Sequence, residues 1–178
     1  MSIDDLKALI RTVPDFPRPG IQFRDITSLL ANGPGLRAAI RQLAERAAGR
    51  GAAAIAGMEA RGFIFGAAVA AELGIGFLPV RKPGKLPVPT IGIDYALEYG
   101  TDRLEVDPSL VPAGQPVLLV DDLIATGGTA FAAAQLLREA GATVDSALFV
   151  IDLPDLGGSR LLAGKGIEAE SLMCFAGE

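Results

Sequence analysis

Val117-Leu118-Leu119-Val120 runs unbroken into two adjacent carboxylates, Asp121 and Asp122. Thr126-Gly127-Gly128-Thr129 then leads into residues 130–140, which have the composition of a helix. An apolar run without alternation suits a strand buried on both faces, as in a parallel sheet, because a strand with one wet face would alternate. Strand, short loop of small residues and helix make half of a βαβ unit. In such sheets ligands sit outside the carboxyl ends of the strands, and here that end carries both acids.

The loop favours an anion. Glycines 127 and 128 let main-chain N–H groups come close, the helix start adds unpaired N–H groups and a positive dipole end, and Thr126 and Thr129 offer hydroxyl donors. A phosphate fits that cradle. Carboxylates beside a phosphate need hydroxyls or a cation to face, and a ribose diol or hydrated Mg²⁺ would satisfy them. The plainer reading makes Asp121 and Asp122 caps of a βα turn. No lysine follows the glycines, so this is not a nucleoside-triphosphate loop, and the dinucleotide pattern G-x-G-x-x-G is missing.

Composition removes whole classes of chemistry. The 178 residues contain no histidine and one cysteine, Cys174. Ser-His-Asp and Cys-His machinery and an ordinary zinc site are therefore excluded, and acid–base work falls to Asp, Glu, Lys or Tyr. Any metal should be a hard, oxygen-bound one. One cysteine cannot form an internal disulfide and fits a reducing cytoplasm. Half the residues are apolar and 21% charged, as in a globular chain, and a net charge of −5 with pI near 4.8 gives no reason to expect nucleic acid. No apolar stretch is long enough to span a bilayer, and Met1-Ser2-Ile3-Asp4-Asp5 lacks the basic start of a signal peptide. The length suits one domain, residues 1–178.

Around the central stretch the pattern repeats. Residues 2–11 read as a short helix capped by Ser2, and residues 35–48 as a second, with Leu36, Ile40, Leu43 and Ala47 as its buried stripe. Between them Pro14, Pro17 and Pro19 impose an extended path that Phe16 and Phe23 would lay over the core. Residues 52–62 read as a strand running into a small loop, 63–73 as a helix ended by Gly74, and 75–81 as the next strand. Strands over 144–153 and 167–175 follow, with a short helix before the last. Such alternation argues for α/β with a mostly parallel central sheet and flanking helices. Arg61 falls just past a strand end, on the edge that holds Asp121 and Asp122. Residues 82–90, rich in proline and lysine, and a hairpin of 91–96 with 102–106 read as a lid.

These residues resemble a known family. Val117 through Thr129 is similar to the 5-phosphoribosyl-1-pyrophosphate (PRPP) signature of type I phosphoribosyltransferases. Val13-Pro14-Asp15-Phe16-Pro17, Gln22-Phe23-Arg24-Asp25-Ile26, Glu59-Ala60-Arg61-Gly62-Phe63, Arg81-Lys82 with Gly84-Lys85-Leu86-Pro87, and Leu97-Glu98-Tyr99-Gly100-Thr101 resemble the adenine-specific branch, in order and over nearly the whole chain.

The resemblance implies the type I phosphoribosyltransferase fold, with an N-terminal hood over about residues 1–34 and a flexible catalytic loop and hairpin over about 82–106. It implies conversion of adenine and PRPP to AMP and pyrophosphate in purine salvage. Ala125, Thr126, Gly127, Gly128 and Thr129 would hold the 5′-phosphate, and Asp121 and Asp122 the ribose. Arg61, Lys82 and Lys85 would meet the pyrophosphate, and Arg81 would be a further substrate-binding residue. Main chain at Gln22 and Arg24 would read the base, Phe23 would stack on it, Glu98 would be the acid–base group and Tyr99 would close the site. Mg²⁺ would ride on PRPP or pyrophosphate oxygens and water, near Asp121 and Asp122, without a ligand set of the protein's own. A homodimer is also implied. Rival readings are a transferase for another purine base and a PRPP-sensing regulator without catalysis.

Overall fold

In the computed structural model, which describes residues 1–96 and 100–177, the first helix α1 (Ile3–Ala8) starts from a reciprocal cap. The Ser2 hydroxyl accepts the Asp5 N–H at 3.1 Å and the Asp5 carboxylate accepts the Ser2 N–H at 2.8 Å. The proline-rich segment forms a two-stranded antiparallel ribbon of β1 (Arg11–Pro14) and β2 (Gln22–Asp25). Phe16 is exposed and packs edge-on against Phe23 with centroids 5.1 Å apart, so Phe16 supports the ribbon and does not press it onto the core. A short helix α2 (Thr27–Ala31), too brief to show a period in sequence, follows. Asn32 then caps α3 (Gly33–Ala48) by accepting the Gly35 N–H at 2.9 Å, two residues earlier than periodicity alone places it. Its stripe is also rotated: Ala39, Leu43, Ala44 and Ala47 are fully buried, with Leu36 and Ile40 at the margin.

Next come β3 (Ala54–Met58), α4 (Arg61–Leu73), ended by Gly74 at φ 68°, and β4 (Gly76–Val80). The hairpin is β5 (Ile91–Ala96) with β6 (Thr101–Val106). The remaining elements are β7 (Val117–Ile124), α5 (Gly128–Glu139), β8 (Ser146–Asp152), α6 (Gly158–Gly164) and β9 (Glu168–Cys174). The central strand thus extends through both acids, which belong to β7 and not to the loop after it.

The central sheet has the order β4-β3-β7-β8-β9 with every neighbouring pair parallel. Taken in chain order, its own strands lie 2-1-3-4-5, the doubly wound arrangement whose switch point falls between β3 and β7. Leu118, Val120 and Leu148 meet Leu6, Leu43, Phe65 and Val69 on one face. Leu119, Ala147 and Phe149 meet Leu104, Val106, Leu136 and Leu162 on the other. Val117, Leu118, Leu119 and Val120 are each at most 1% exposed, as a strand covered on both sides must be. Truncating Leu118 or Leu119 to alanine would cost roughly 2–5 kcal/mol. Residues 82–90 contain no helix or strand, whereas the hairpin stem is rooted in the core by Leu104 and Val106.

Candidate active site

Side chains from both sides of the switch point line a cleft of about 390 Å³. Arg61 is the first residue of α4, and its Nε–H donates to Asp122 Oδ2 at 2.5 Å. Asp122 is only 4% exposed, so its charge is satisfied by that guanidinium and not by water. The side chain of Asp121 folds back to accept the Asp122 N–H at 2.8 Å. Burial pushes the Asp121 carboxyl well above its ordinary value, and the neighbouring Asp122 charge pushes it the same way against the pull of Arg61. The start of α4 comes so close that a Cβ on Gly62 would stand 2.7 Å from Asp121 Oδ1.

The turn after β7 is built by close approach. Gly127 has φ 83°, which favours glycine, and α5 begins at Gly128. Gly158, at the start of α6, backs the turn: its N–H donates to the Ala125 carbonyl at 2.9 Å, and a Cβ there would lie 2.4 Å from that oxygen. Residues 125–129 all line the cleft, and the first N–H groups of α5 lack intrahelical partners there.

The opposite wall comes from the cationic loop and the hairpin. The Glu59 carboxylate accepts the Lys82 N–H at 2.9 Å and the Arg81 guanidinium at 3.2 and 3.4 Å, and these bonds, the Lys82 N–H first, hold its pKa below the ordinary value. Arg81 also donates to the Lys85 carbonyl at 3.2 Å. Lys82 reaches into the cleft, where its ammonium pairs with Asp102. Burial would lower the Lys82 pKa, but Asp102 and Tyr95 raise it overall. Asp102 is held below its ordinary value, chiefly by Lys82.

The structure therefore brings together Arg61, Lys82, Asp121, Asp122, Ala125, Thr126, Gly127, Gly128 and Thr129. It does not place Gln22, Phe23, Arg24, Arg81 or Lys85 on the cleft wall. Gln22, Phe23 and Arg24 lie on β2, and the Arg24 side chain is turned away to Thr12 and to the Ala176 carbonyl. Lys85 is exposed on the loop. Glu98 and Tyr99 lie outside the described residues. Sequence reading missed Glu59, Tyr95, Asp102 and Gly158. A signal for Asp102 is present: in Asp102-Arg103-Leu104-Glu105-Val106 it shares the alternating register of two core residues.

A model of the phosphoribosyl transferase domain matches residues 25–160. The adenine phosphoribosyltransferase of Erythrobacter litoralis is 71% identical over 177 residues, covering 99% of both chains. Among solved structures, the adenine phosphoribosyltransferase of Thermoanaerobacter pseudethanolicus superposes with a TM-score of 0.93 at 47% identity, over 98% of this chain and 100% of that one. The Giardia lamblia enzyme complexed with 9-deazaadenine does so with a TM-score of 0.92 at 34% identity, over 98% of each chain.

Proposed function

The chain belongs to the adenine phosphoribosyltransferases of the phosphoribosyltransferase family, and from that membership we propose how its cleft divides the work of the reaction. The enzyme converts adenine and PRPP to AMP and pyrophosphate, the step that salvages a free purine. The division of roles rests on one observation above all: two carboxylates and a glycine turn at a helix start share the switch-point cleft with an arginine and a lysine.

In this reading the turn from Ala125 to Thr129 holds the 5′-phosphate with main-chain N–H groups and the Thr126 and Thr129 hydroxyls. Asp121 and Asp122 face the ribose hydroxyls. Arg61 and Lys82 stabilise charge on the departing pyrophosphate without proton transfer, and Arg81 and Lys85 add positive charge from the loop. As the C1–pyrophosphate bond breaks, adenine N9 attacks C1, and Glu98 accepts the proton that leaves N7. Tyr99 closes the site. The Gln22 and Arg24 main chain reads the base and Phe23 stacks on it. A two-stranded ribbon supports that assignment, because β2 carries an outer edge whose main-chain groups can serve a ligand, and the Arg24 side chain is engaged elsewhere. Adenine's neutral edge suits such donors and acceptors.

The donor set fits Mg²⁺ bound largely through substrate. Its oxygens are those of Asp121 and of Asp122, already paired with Arg61, and no cluster of three metal-binding side chains occurs among the described residues. When bound, Mg²⁺ supplies charge neutralisation on the pyrophosphate oxygens. A homodimer working in the cytoplasm completes the proposal; no helix among the described residues is long and apolar enough to cross a membrane. The test is incubation with PRPP and Mg²⁺ against a panel of bases, following nucleotide and pyrophosphate. Adenine should be consumed with equal amounts of AMP and pyrophosphate formed, and no turnover with adenine would reject the assignment.

A further inference from the structure

The roles above leave Tyr95 and Asp102 unassigned, although both face the cleft. They are cross-strand partners in the β5–β6 register, so they share one face of the hairpin. On that face Ile91, Ile93, Leu104 and Val106 pack into the core. The stripe thus ends, at the cleft, in a phenol and a carboxylate.

Asp102 is fully engaged. Its Oδ2 accepts the Lys82 ammonium and the Tyr95 hydroxyl, the latter at 3.2 Å, and its Oδ1 accepts the Arg103 N–H at 2.8 Å. Tyr95 Oη also lies 3.5 Å from Lys82 Nζ and 3.5 Å from Thr129 Oγ1. Hydrogen bonds therefore run from Lys82 through Asp102 and Tyr95 to Thr129, from the cationic loop to the phosphate turn. An ammonium on a four-carbon stem has three donors and no fixed direction of its own, so a defined position requires a fixed acceptor. Asp102 is such an acceptor, since a main-chain N–H and a phenol hold it.

We infer that Asp102 is a positioning residue that holds Lys82 on the cleft wall across from the phosphate turn, with Tyr95 fixing Asp102 and joining it to Thr129. The inference rests on the reading of Lys82 as a pyrophosphate ligand. One donor of the ammonium keeps it in place while the others face the incoming polyanion. The rotamer freedom of the lysine is then spent before substrate arrives.

Asp102→Asn keeps the shape and removes the charge. It should raise KM for PRPP, and for pyrophosphate in the reverse direction, by about tenfold, with KM for adenine changed less than about twofold. Tyr95→Phe should shift the same two constants in the same direction by a smaller factor. In a Lys82→Met background, Asp102→Asn should add nothing, as expected of residues that act as one unit. Melting curves establish that each variant folds. Tighter PRPP binding in Asp102→Asn would overturn the inference by making Asp102 a competitor for Lys82. Unchanged constants, equal losses for PRPP and adenine, or additive losses in the Lys82→Met background would overturn it too. If Lys82→Met alone leaves PRPP and pyrophosphate constants unchanged, the reading of Lys82 itself has failed, an outcome distinct from the others.

Discussion

Arg61 Nε stands 2.5 Å from Asp122 Oδ2, joining the first residue of α4 to the carboxyl end of β7 across the point where the sheet reverses its order. The pair does two jobs at once. It neutralises a carboxylate that is almost fully out of water, and it holds a guanidinium, itself about half exposed, at the rim of the cleft. Glu59 lies two residues before Arg61 and fastens the loop of Arg81 and Lys82. One short segment between β3 and α4 therefore orders cations on two walls.

Replacing Arg61 with methionine tests that double role. Asp122 would be left buried without its countercharge, next to Asp121. The expected cost is about 1–2 kcal/mol, below the range for a fully buried pair because the guanidinium is half exposed. KM for PRPP should rise by about tenfold or more, while KM for adenine moves less. Urea unfolding and steady-state kinetics give both readouts. Unchanged stability together with unchanged KM for PRPP would show that the contact is incidental.

Gly158 is expected to control the glycine turn after β7 from behind. A methyl there would stand 2.4 Å from the Ala125 carbonyl and 2.9 Å from the Gly127 nitrogen, both main-chain atoms that cannot move without reshaping the turn. Gly158→Ala should cost roughly 1–3 kcal/mol by overpacking and weaken PRPP binding. Gly164→Ala is the control, since its added methyl meets nothing within 4 Å. Equal PRPP constants for the two variants would remove Gly158 from the site.

The contrast between these residues shows what a chain discloses. Asp121, Asp122 and the Gly127-Gly128 turn are neighbours in sequence, so their joint chemistry is legible there, as is the apolar first half of β7, Val117 to Val120, which is covered on both faces. Arg61 is legible by position, because parallel strands bring their carboxyl ends to one edge. Gly158 is not, since its contact with Ala125 spans a strand and a crossing. The Lys82–Asp102–Tyr95 set needs the register of a hairpin, which alternation suggests without fixing partners. The N-terminal ribbon shows the opposite failure. Pro14, Pro17 and Pro19 correctly exclude helix, but an extended path says nothing of the pairing of Thr12 with Arg24 that turns it into a ribbon. The Asn32 cap lies among Gly33, Pro34 and Gly35, which look like breakers until Pro34 is seen in the first turn of α3.

Glu98→Gln should separate chemistry from binding. If Glu98 takes the N7 proton, the amide keeps the size and loses the base, and kcat should fall by about 10²–10⁴. KM for PRPP should stay near its original value, because neither the glycine turn nor the cations are touched. Single-turnover measurement of AMP formation is the direct check. A turnover equal to the parent enzyme's would remove Glu98 from the proton path.

Asp121→Asn carries the least intuitive expectation, and its sign follows from linkage. The folded-state pKa of Asp121 is raised above its ordinary 3.8, by burial first and the Asp122 charge second. Between the unfolded value and the raised folded value, the native state binds more protons than the unfolded state. Stability therefore falls as pH rises through that window, by at most about 1.4 kcal/mol for each pH step of one. This is the reverse of a paired surface carboxylate such as Asp25, whose pKa is lowered to about 2 by Thr27 and Arg11 and whose contribution is lost as pH falls toward that value. Asparagine removes the Asp121 ionisation but keeps an oxygen for the Asp122 N–H. The variant should gain stability over the parent at neutral pH, and that gain should shrink as pH falls toward 4. The same change should weaken PRPP binding if Asp121 faces the ribose. Urea unfolding of both proteins across that pH range, with PRPP titrations alongside, reads both effects. A stability difference that does not vary with pH would mean that Asp121 is not desolvated in the way the cleft implies. Unaltered PRPP affinity would remove it from the sugar. Together, a gain in stability and a loss in affinity would identify Asp121 as a carboxylate kept in the cleft for its ligand, at a cost to the fold.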